Sequence, residues 1–93
     1  MIGSFSCRDT EALFYGAHPR RIPPSLHRTA LRKLLMLHAA TDVLDLRSPP
    51  GNRLEALKQE RTGQFSIRIN DQWRICFRWN KGQPHGVEIV DYH

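Results

Sequence analysis

The sequence has few cysteines, no long apolar run and no secretion signal, and each absence narrows the classes of protein to consider. Its two cysteines, Cys7 and Cys76, are isolated and form no CxxC pair, so neither a disulfide framework nor a zinc ribbon is indicated. No stretch approaches the roughly 18 uninterrupted apolar residues of a membrane span. The first residues lack the cationic and apolar regions of a signal peptide. We therefore expect a cytoplasmic protein without membrane contact.

The residue patterns of several enzyme classes are also missing. The five histidines and nine acidic residues provide no closely spaced ligand set, so we expect no metal and no other cofactor. His27 and His38 share a helix face, but they lie about 16 Å apart along the axis, too far for one ion. No Ser-His-Asp pattern, glycine-rich phosphate loop or dinucleotide motif is present. Cys76 lies among arginines within a strand and is interpreted as a small buried residue rather than a nucleophile.

Positive charge is the clearest compositional signal. Fourteen Lys and Arg residues against nine Asp and Glu residues give a formal net charge of +5. This excess favours a polyanionic partner such as nucleic acid, with an acidic protein as the alternative. A chain of 93 residues suffices for one compact core, so we expect a single domain over residues 1–93.

The first half of the chain is predicted to be helical. Residues 2–7 are interpreted as a short first strand, which a short helix beginning near Asp9 follows. A longer helix is predicted over residues 26–40. Its expected buried stripe comprises Leu26, Ala30, Leu34 and Leu37, widened by Leu31 and Leu35, and its expected outward residues are Arg28, Arg32 and Lys33.

The second half changes to the two-residue period of strands after the break at residues 48–51. Residues 65–69 and 73–79 alternate between apolar and polar and are joined by a turn at Asn70. Residues 54–58 are expected to form the preceding strand. Residues 86–91 are expected to form the last strand, after a turn at Lys81 and Gly82, with His18 and His85 in loops. The predicted fold class is α+β, with two N-terminal helices on one face of a small twisted antiparallel sheet.

Arginines recur on one side of this predicted sheet. If the apolar positions face the helices, then Arg68, Arg74 and Arg78 project from the opposite face. Lys58 and Arg61 add positive charge near one edge of the sheet. A solvated arginine face without a function is the alternative at this point.

The sequence ends in an acid, a phenol and an imidazole, namely Asp91, Tyr92 and His93. A capped edge strand is one interpretation. With Lys58 and Arg74, however, these groups suit metal-free RNA cleavage, in which the ribose 2′-hydroxyl attacks the adjacent phosphate. His93 would transfer protons, Asp91 would stabilise its imidazolium and Arg74 would hold phosphoryl oxygens. Lys58 would contact the phosphate or transfer a proton, and Tyr92 would stack on a base or donate a hydrogen bond.

Three stretches, residues 48–58, 66–77 and 87–93, resemble the HigB host-inhibition toxins of the RelE/ParE superfamily in sequence, order and spacing. The resemblance implies a RelE/ParE-like fold, ribosome-dependent mRNA cleavage that stops growth, and a HigA-type helix-turn-helix antitoxin. The implied partners are the 70S ribosome and mRNA, with DNA contacted only through the toxin–antitoxin complex. The functional positions carried over by motif are Lys58, Asn70, Arg74, Asp91, Tyr92 and His93. The expected contacts with RNA or the ribosome are Arg61, Arg68, Asn70 and Arg78.

One position departs from the family pattern. Some relatives carry a histidine just before the Leu-Lys pair, where this chain has Glu55-Ala56-Leu57-Lys58. A carboxylate at Glu55 can replace the missing base only if nearby cations offset its repulsion from phosphate. Two alternatives to the nuclease remain open: a non-catalytic ParE-like inhibitor of DNA gyrase and a basic RNA-binding module.

Overall fold

The computed structural model describes residues 1–92 and places two helices before one four-stranded sheet. Each strand pairs antiparallel with the next along the chain, so the order in the sheet follows the sequence. The predicted α+β architecture is therefore confirmed. The helices are α1 (Arg8–Phe14) and α2 (His27–Ala39), and the strands are β1 (Glu55–Ala56), β2 (Gln64–Arg68), β3 (Trp73–Asn80) and β4 (Gln83–Asp91).

Helix α2 lies against the sheet because it carries one continuous apolar stripe. Ala30, Leu34 and Leu37 are completely buried, as the sequence predicts. From the sheet, Ile67 and Phe77 belong to the same core cluster. Burial of one such large apolar side chain contributes roughly 1.5–3 kcal/mol, so this contact holds the two layers together.

The outer side of α2 differs from the prediction at two positions. Lys33 is only 7% exposed and Leu35 is 52% exposed, whereas the sequence interpretation placed Lys33 outside and Leu35 inside. Lys33 follows Ala30 by three residues and precedes Leu37 by four, so helix geometry places it on the buried stripe. The prediction was wrong because it followed residue type rather than angular position.

Residues 2–7 do not form the predicted strand. Within the described residues they make one isolated parallel bridge, between Phe5 and Val87 of β4. The apolar residues Ile2 and Phe5 are three positions apart, which does not match the two-residue period that a half-buried strand requires. The segment therefore lies beside β4 at the edge of the sheet but does not form a fifth strand.

Two strands differ in length from the prediction. Strand β1 has two residues instead of the expected 54–58, and residues with left-handed φ lie on both sides of it, Arg53 at 46° and Gln59 at 57°. Strand β4 begins at Gln83 rather than Gly86, so His85 lies in a strand and not in a loop. Gly86 has φ of 60°, and the β3–β4 register shifts nearby, between Cys76 and Arg78. A glycine at an irregularity inside a strand was mistaken for the start of that strand.

The predicted turns on either side of β3 are confirmed. At the first, the side-chain oxygen of Asn70 accepts hydrogen bonds from the backbone N–H groups of Gln72 and Trp73, both at 2.8 Å. At the second, Lys81 and Gly82 have φ values of 53° and 76°, the combination of a two-residue hairpin turn with matched twist. These turns fix the register, and the register decides which side chains share a face.

Candidate active site

The face of the sheet that points away from the helices carries the predicted arginines. Residues directly opposite in an antiparallel pair share a face, and Arg68 pairs with Arg74 while Ser66 pairs with Cys76. Ile67 and Ile75, one position along each strand, belong to the core on the other side. The cationic face is therefore confirmed; Arg78 on it is exposed, and Arg68 and Arg74 are half-buried.

Two of the expected RNA-binding cations already have carboxylate partners. Arg61 forms an ion pair with Glu88 at 3.2 Å, and Arg68 forms one with Asp71. The hydrogen bond and charge of Arg68 hold the pKa of the Asp71 carboxyl below its usual range. Within residues 1–92, Arg78 is engaged in no ion pair or hydrogen bond, so its guanidinium is the most available of these cations.

Arg74 is held by the protein itself. Its Nε donates to Ser66 Oγ at 2.7 Å, and its Nη2 donates to the Arg53 carbonyl oxygen at 2.7 Å and to the Ser66 carbonyl oxygen at 3.4 Å. In the described part of the chain, no hydrogen bond uses Nη1. Arg74 therefore has a fixed orientation with one terminal nitrogen left to meet an anion. Sequence reasoning missed Ser66, although its position opposite Cys76 on the arginine face was a usable signal.

A cleft of about 350 Å³ brings Lys58 and Tyr92 together. Its lining also includes Glu55, which the sequence analysis identified as a departure from the family pattern and a candidate replacement for the missing base. In the register, Glu55 lies opposite Ser66, the residue that orients Arg74. The cleft thus places a cation, a phenol and a carboxylate beside the cationic face, the set of groups that proton transfer at a phosphodiester needs.

The end of β4 is anchored to the turn that precedes β3. The backbone N–H of Tyr92 donates to the Gln72 carbonyl oxygen at 2.6 Å. The side-chain amide of Gln72 donates to both carboxylate oxygens of Asp91 at 3.1 Å. These bonds explain how a terminal segment keeps Tyr92, which is 41% exposed, at the cleft. His93, the predicted proton-transfer group, lies outside the described residues.

The remaining predicted residues occupy structural positions. Asn70 uses its side-chain oxygen to close the β2–β3 turn, which leaves its amide nitrogen for any contact with RNA. Cys76 is fully buried, and burial raises the pKa of its thiol. The predicted burial of Cys76 is therefore confirmed, and the raised pKa disfavours the thiolate, which is the reactive form.

A second, larger cavity of about 540 Å³ lies on the helical side of the molecule. Its lining includes the apolar residues Leu13 and Leu31 and the rings of His18 and His27. The buried His27 has its Nε2 2.8 Å from the Ile22 carbonyl oxygen and its Nδ1 3.5 Å from His18 Nδ1. This cavity lacks the carboxylate, amine and phenol of the smaller cleft, so we place the candidate active site at the smaller one.

Within residues 1–92, none of the helices is long and apolar enough to cross a membrane. In the same part of the chain, no group of three or more His, Cys, Asp or Glu residues is arranged to hold a metal ion.

Comparison with known proteins agrees with this fold and with the sequence resemblance. Toxin HigB-1 from Vibrio cholerae is 48% identical over 63 residues, which are 68% of this chain and 66% of that protein. The chain thus spans about two thirds of that relative's length. Endoribonuclease HigB from Proteus vulgaris is 28% identical over 93 residues, the whole of both chains.

Among solved structures, a chain of the YoeB-YefM complex from Staphylococcus aureus superposes with a TM-score of 0.62 at 16% identity, covering 100% of this chain and 98% of that one. The α+β fold is therefore shared with that chain. A family model described as the RelE-like toxin of the type II toxin-antitoxin system HigB matches residues 8–93. The chain belongs to this family of HigB-like toxins.

Proposed function

We propose that the protein is the toxin of a type II toxin–antitoxin pair and that it cleaves mRNA on the ribosome without a metal ion. The observation that carries the proposal is the cleft that joins Lys58, Tyr92 and Glu55 beside a cationic sheet face. Family membership and the endoribonuclease activity named for the Proteus vulgaris relative support it. The cleavage would stop translation and growth in the cytoplasm.

The proposed reaction is attack of a ribose 2′-hydroxyl on the adjacent phosphate, which needs a base, an acid and an anion clamp. Glu55 is assigned to accept the hydroxyl proton, in place of the histidine of some relatives. Lys58 and the unengaged Nη1 of Arg74 are assigned to the phosphoryl oxygens. Lys58 and Arg74 also offset the repulsion between the Glu55 carboxylate and the phosphate.

The chain end supplies the remaining groups. Tyr92 stacks on an unpaired base or donates a hydrogen bond to the RNA, in keeping with its partly exposed ring. His93 directly follows Tyr92 and is assigned to protonate the leaving 5′-oxygen, since imidazole exchanges protons near neutral pH. Asp91, oriented by Gln72, is assigned to stabilise the imidazolium of His93.

The cationic face is assigned to contact ribosomal RNA and mRNA. Arg78 is exposed, whereas Arg61 and Arg68 would have to share their guanidinium groups between RNA phosphates and the carboxylates that pair with them. Asn70 offers its amide nitrogen at the adjoining turn. Contacts of this kind make binding strongly dependent on salt.

A HigA-type antitoxin is the proposed neutralising partner, and DNA is proposed to be contacted only through the toxin–antitoxin complex. The fold shared with a chain of the YoeB-YefM complex supports an antitoxin partner of some kind.

The test of this function is cleavage mapping of a defined mRNA by primer extension, with the purified protein and with or without translating ribosomes. We expect discrete 5′ ends only when ribosomes are present, and their loss when the product of the neighbouring antitoxin gene is added. An intact message together with inhibited DNA supercoiling would favour the ParE-like gyrase inhibitor instead. An intact message with salt-sensitive RNA binding would favour a simple RNA-binding module.

A further inference from the structure

The segment that leads into the cleft contains a fully buried polar side chain, Asn52. Its amide nitrogen donates to the carbonyl oxygens of Leu46 at 3.1 Å and Ser48 at 3.3 Å, and its amide oxygen accepts a hydrogen bond from Lys33 Nζ. A buried amide is costly unless it is hydrogen-bonded. Asn52 therefore ties three parts of the chain together, one of which is helix α2.

The partner of Asn52 is equally unusual. Within residues 1–92, Lys33 is the only Lys, Arg, Asp or Glu residue that is buried, and its ammonium group donates to a neutral amide oxygen rather than to a carboxylate. An apolar residue at this position of the α2 stripe would avoid the desolvation of a charge. The presence of a lysine here is therefore better explained by the hydrogen bond that it donates than by packing.

The next residue is held from the other side of the sheet. Arg53 has left-handed backbone angles, φ 46° and ψ 55°, which are uncommon for a residue with a side chain. Its carbonyl oxygen accepts the hydrogen bond from Arg74 Nη2. Asn52 is thus bonded to Lys33 of α2, and the next residue, Arg53, is bonded to Arg74 of β3.

Strand β1 needs such support because it is very short. It consists of Glu55 and Ala56 at the edge of the sheet, followed by one further backbone bond from Leu57 N–H to the Gln64 carbonyl oxygen at 2.8 Å. Two-residue pairing offers little resistance to local opening. Residues 55–59 nevertheless form most of the lining of the cleft.

We propose that Lys33 and Asn52 are positioning residues of the proposed active site: through their mutual hydrogen bond they fix residues 48–53 and thereby place Glu55 and Lys58 in the cleft. The functional part of this inference rests on the proposed function, since the cleft is the proposed site of RNA cleavage. The effect of the Lys33–Asn52 hydrogen bond on the position of residues 48–53 can be measured without RNA.

Amide hydrogen exchange measured by NMR on the whole protein tests the proposal without using activity. In Lys33→Met, which keeps the apolar length but loses the donor, we expect the Leu57 amide to exchange about tenfold faster through local opening. The Ile69 amide, bonded to the Trp73 carbonyl oxygen at 2.9 Å in the β2–β3 turn, should keep its rate. Arg32→Met, on the exposed side of the same helix, is the matched control and should change neither rate.

A second variant and a kinetic measurement separate positioning from general stability. Lys33→Gln restores a neutral donor and should recover part of the Leu57 protection. In ribosome-dependent cleavage, Lys33→Met should lower kcat with little change in KM, because the reacting groups are displaced while the docking face is intact. Equal acceleration at Leu57 and Ile69, or no acceleration at either, would overturn the proposal. Failure of the wild type to cut RNA would count against the proposed function only, because the exchange rates decide the positioning role.

Discussion

At the residue scale, some cationic side chains on and beside the arginine face are bonded to other groups of the protein, and others are not. Arg74 is bound to two backbone carbonyl oxygens and a serine hydroxyl, and Arg61 is paired with Glu88. Arg78 and Lys58 are engaged in no ion pair within residues 1–92. An arginine-rich face is therefore not uniformly available to RNA, and the residues without a carboxylate partner are the stronger candidates for contact.

Lys33 makes a pH-dependent contribution to stability that follows from its burial. Desolvation, reinforced by the charges of Arg32 and Arg68, lowers the pKa of Lys33 from its ordinary value of 10.5. Between the lowered pKa and 10.5, the unfolded chain binds a proton that the folded chain does not, so the free energy of unfolding rises with pH. Below the lowered pKa the full cost of burying the charge is present.

We therefore expect the wild type to gain stability relative to Lys33→Met as the pH is raised through this alkaline window. Urea unfolding of both proteins at several pH values measures the difference, in which the titration of other groups cancels. Parallel pH profiles for the two proteins would show that Lys33 has an ordinary pKa in the folded state.

At the element scale, the N-terminal segment is held in place by contacts with β4, because it forms no regular secondary structure of its own over residues 2–6. The N-terminal residues 2–7 follow β4, with the Gly3 N–H donating to the Pro84 carbonyl oxygen at 2.8 Å. Gly3 lies so close to the ring of His85 that a Cβ there would come within 2.3 Å of it. The segment is therefore attached to β4 by backbone hydrogen bonds and by this close approach.

Gly3→Ala is expected to destabilise the protein by about 1–3 kcal/mol, because the ring of His85 must move or the segment must detach. Thermal unfolding measures the effect, and a loss of 1 kcal/mol corresponds to roughly 4–8 °C in a domain of this size. Gly51→Ala is the control, since a Cβ at Gly51 meets nothing within 4 Å. Equal melting temperatures for Gly3→Ala and the wild type would show that the segment carries little of the stability.

At the scale of the whole molecule, the sequence predicts the two layers and the faces of the sheet because these follow from local periodicity. The α2 stripe and the alternation in β2 and β3 determine the core, and the same alternation places Arg68, Arg74 and Arg78 together. The burial of Lys33 follows from its angular position on α2, which the prediction overlooked. The burial of Asn52 was not predictable from local pattern, because it depends on a contact with Lys33, 19 residues away. Lys58 and Tyr92 were predicted as site residues from their chemistry and from the family resemblance. Only the structure shows that the two residues line the same cleft.

The most direct test of the central claim, that RNA is cut at this cleft, is primer-extension mapping on translating ribosomes with Lys58→Met and Tyr92→Phe. Lys81→Met, which removes a lysine from the β3–β4 turn instead, is the matched control. We predict that Lys58→Met loses at least about tenfold in cleavage rate, the usual scale for a charge that acts on a phosphoryl group. Tyr92→Phe should lose activity only if the hydroxyl is used, while Lys81→Met should cut at the wild-type rate and positions. Unchanged cleavage by Lys58→Met and Tyr92→Phe alike would contradict the assignment of the active site to this cleft.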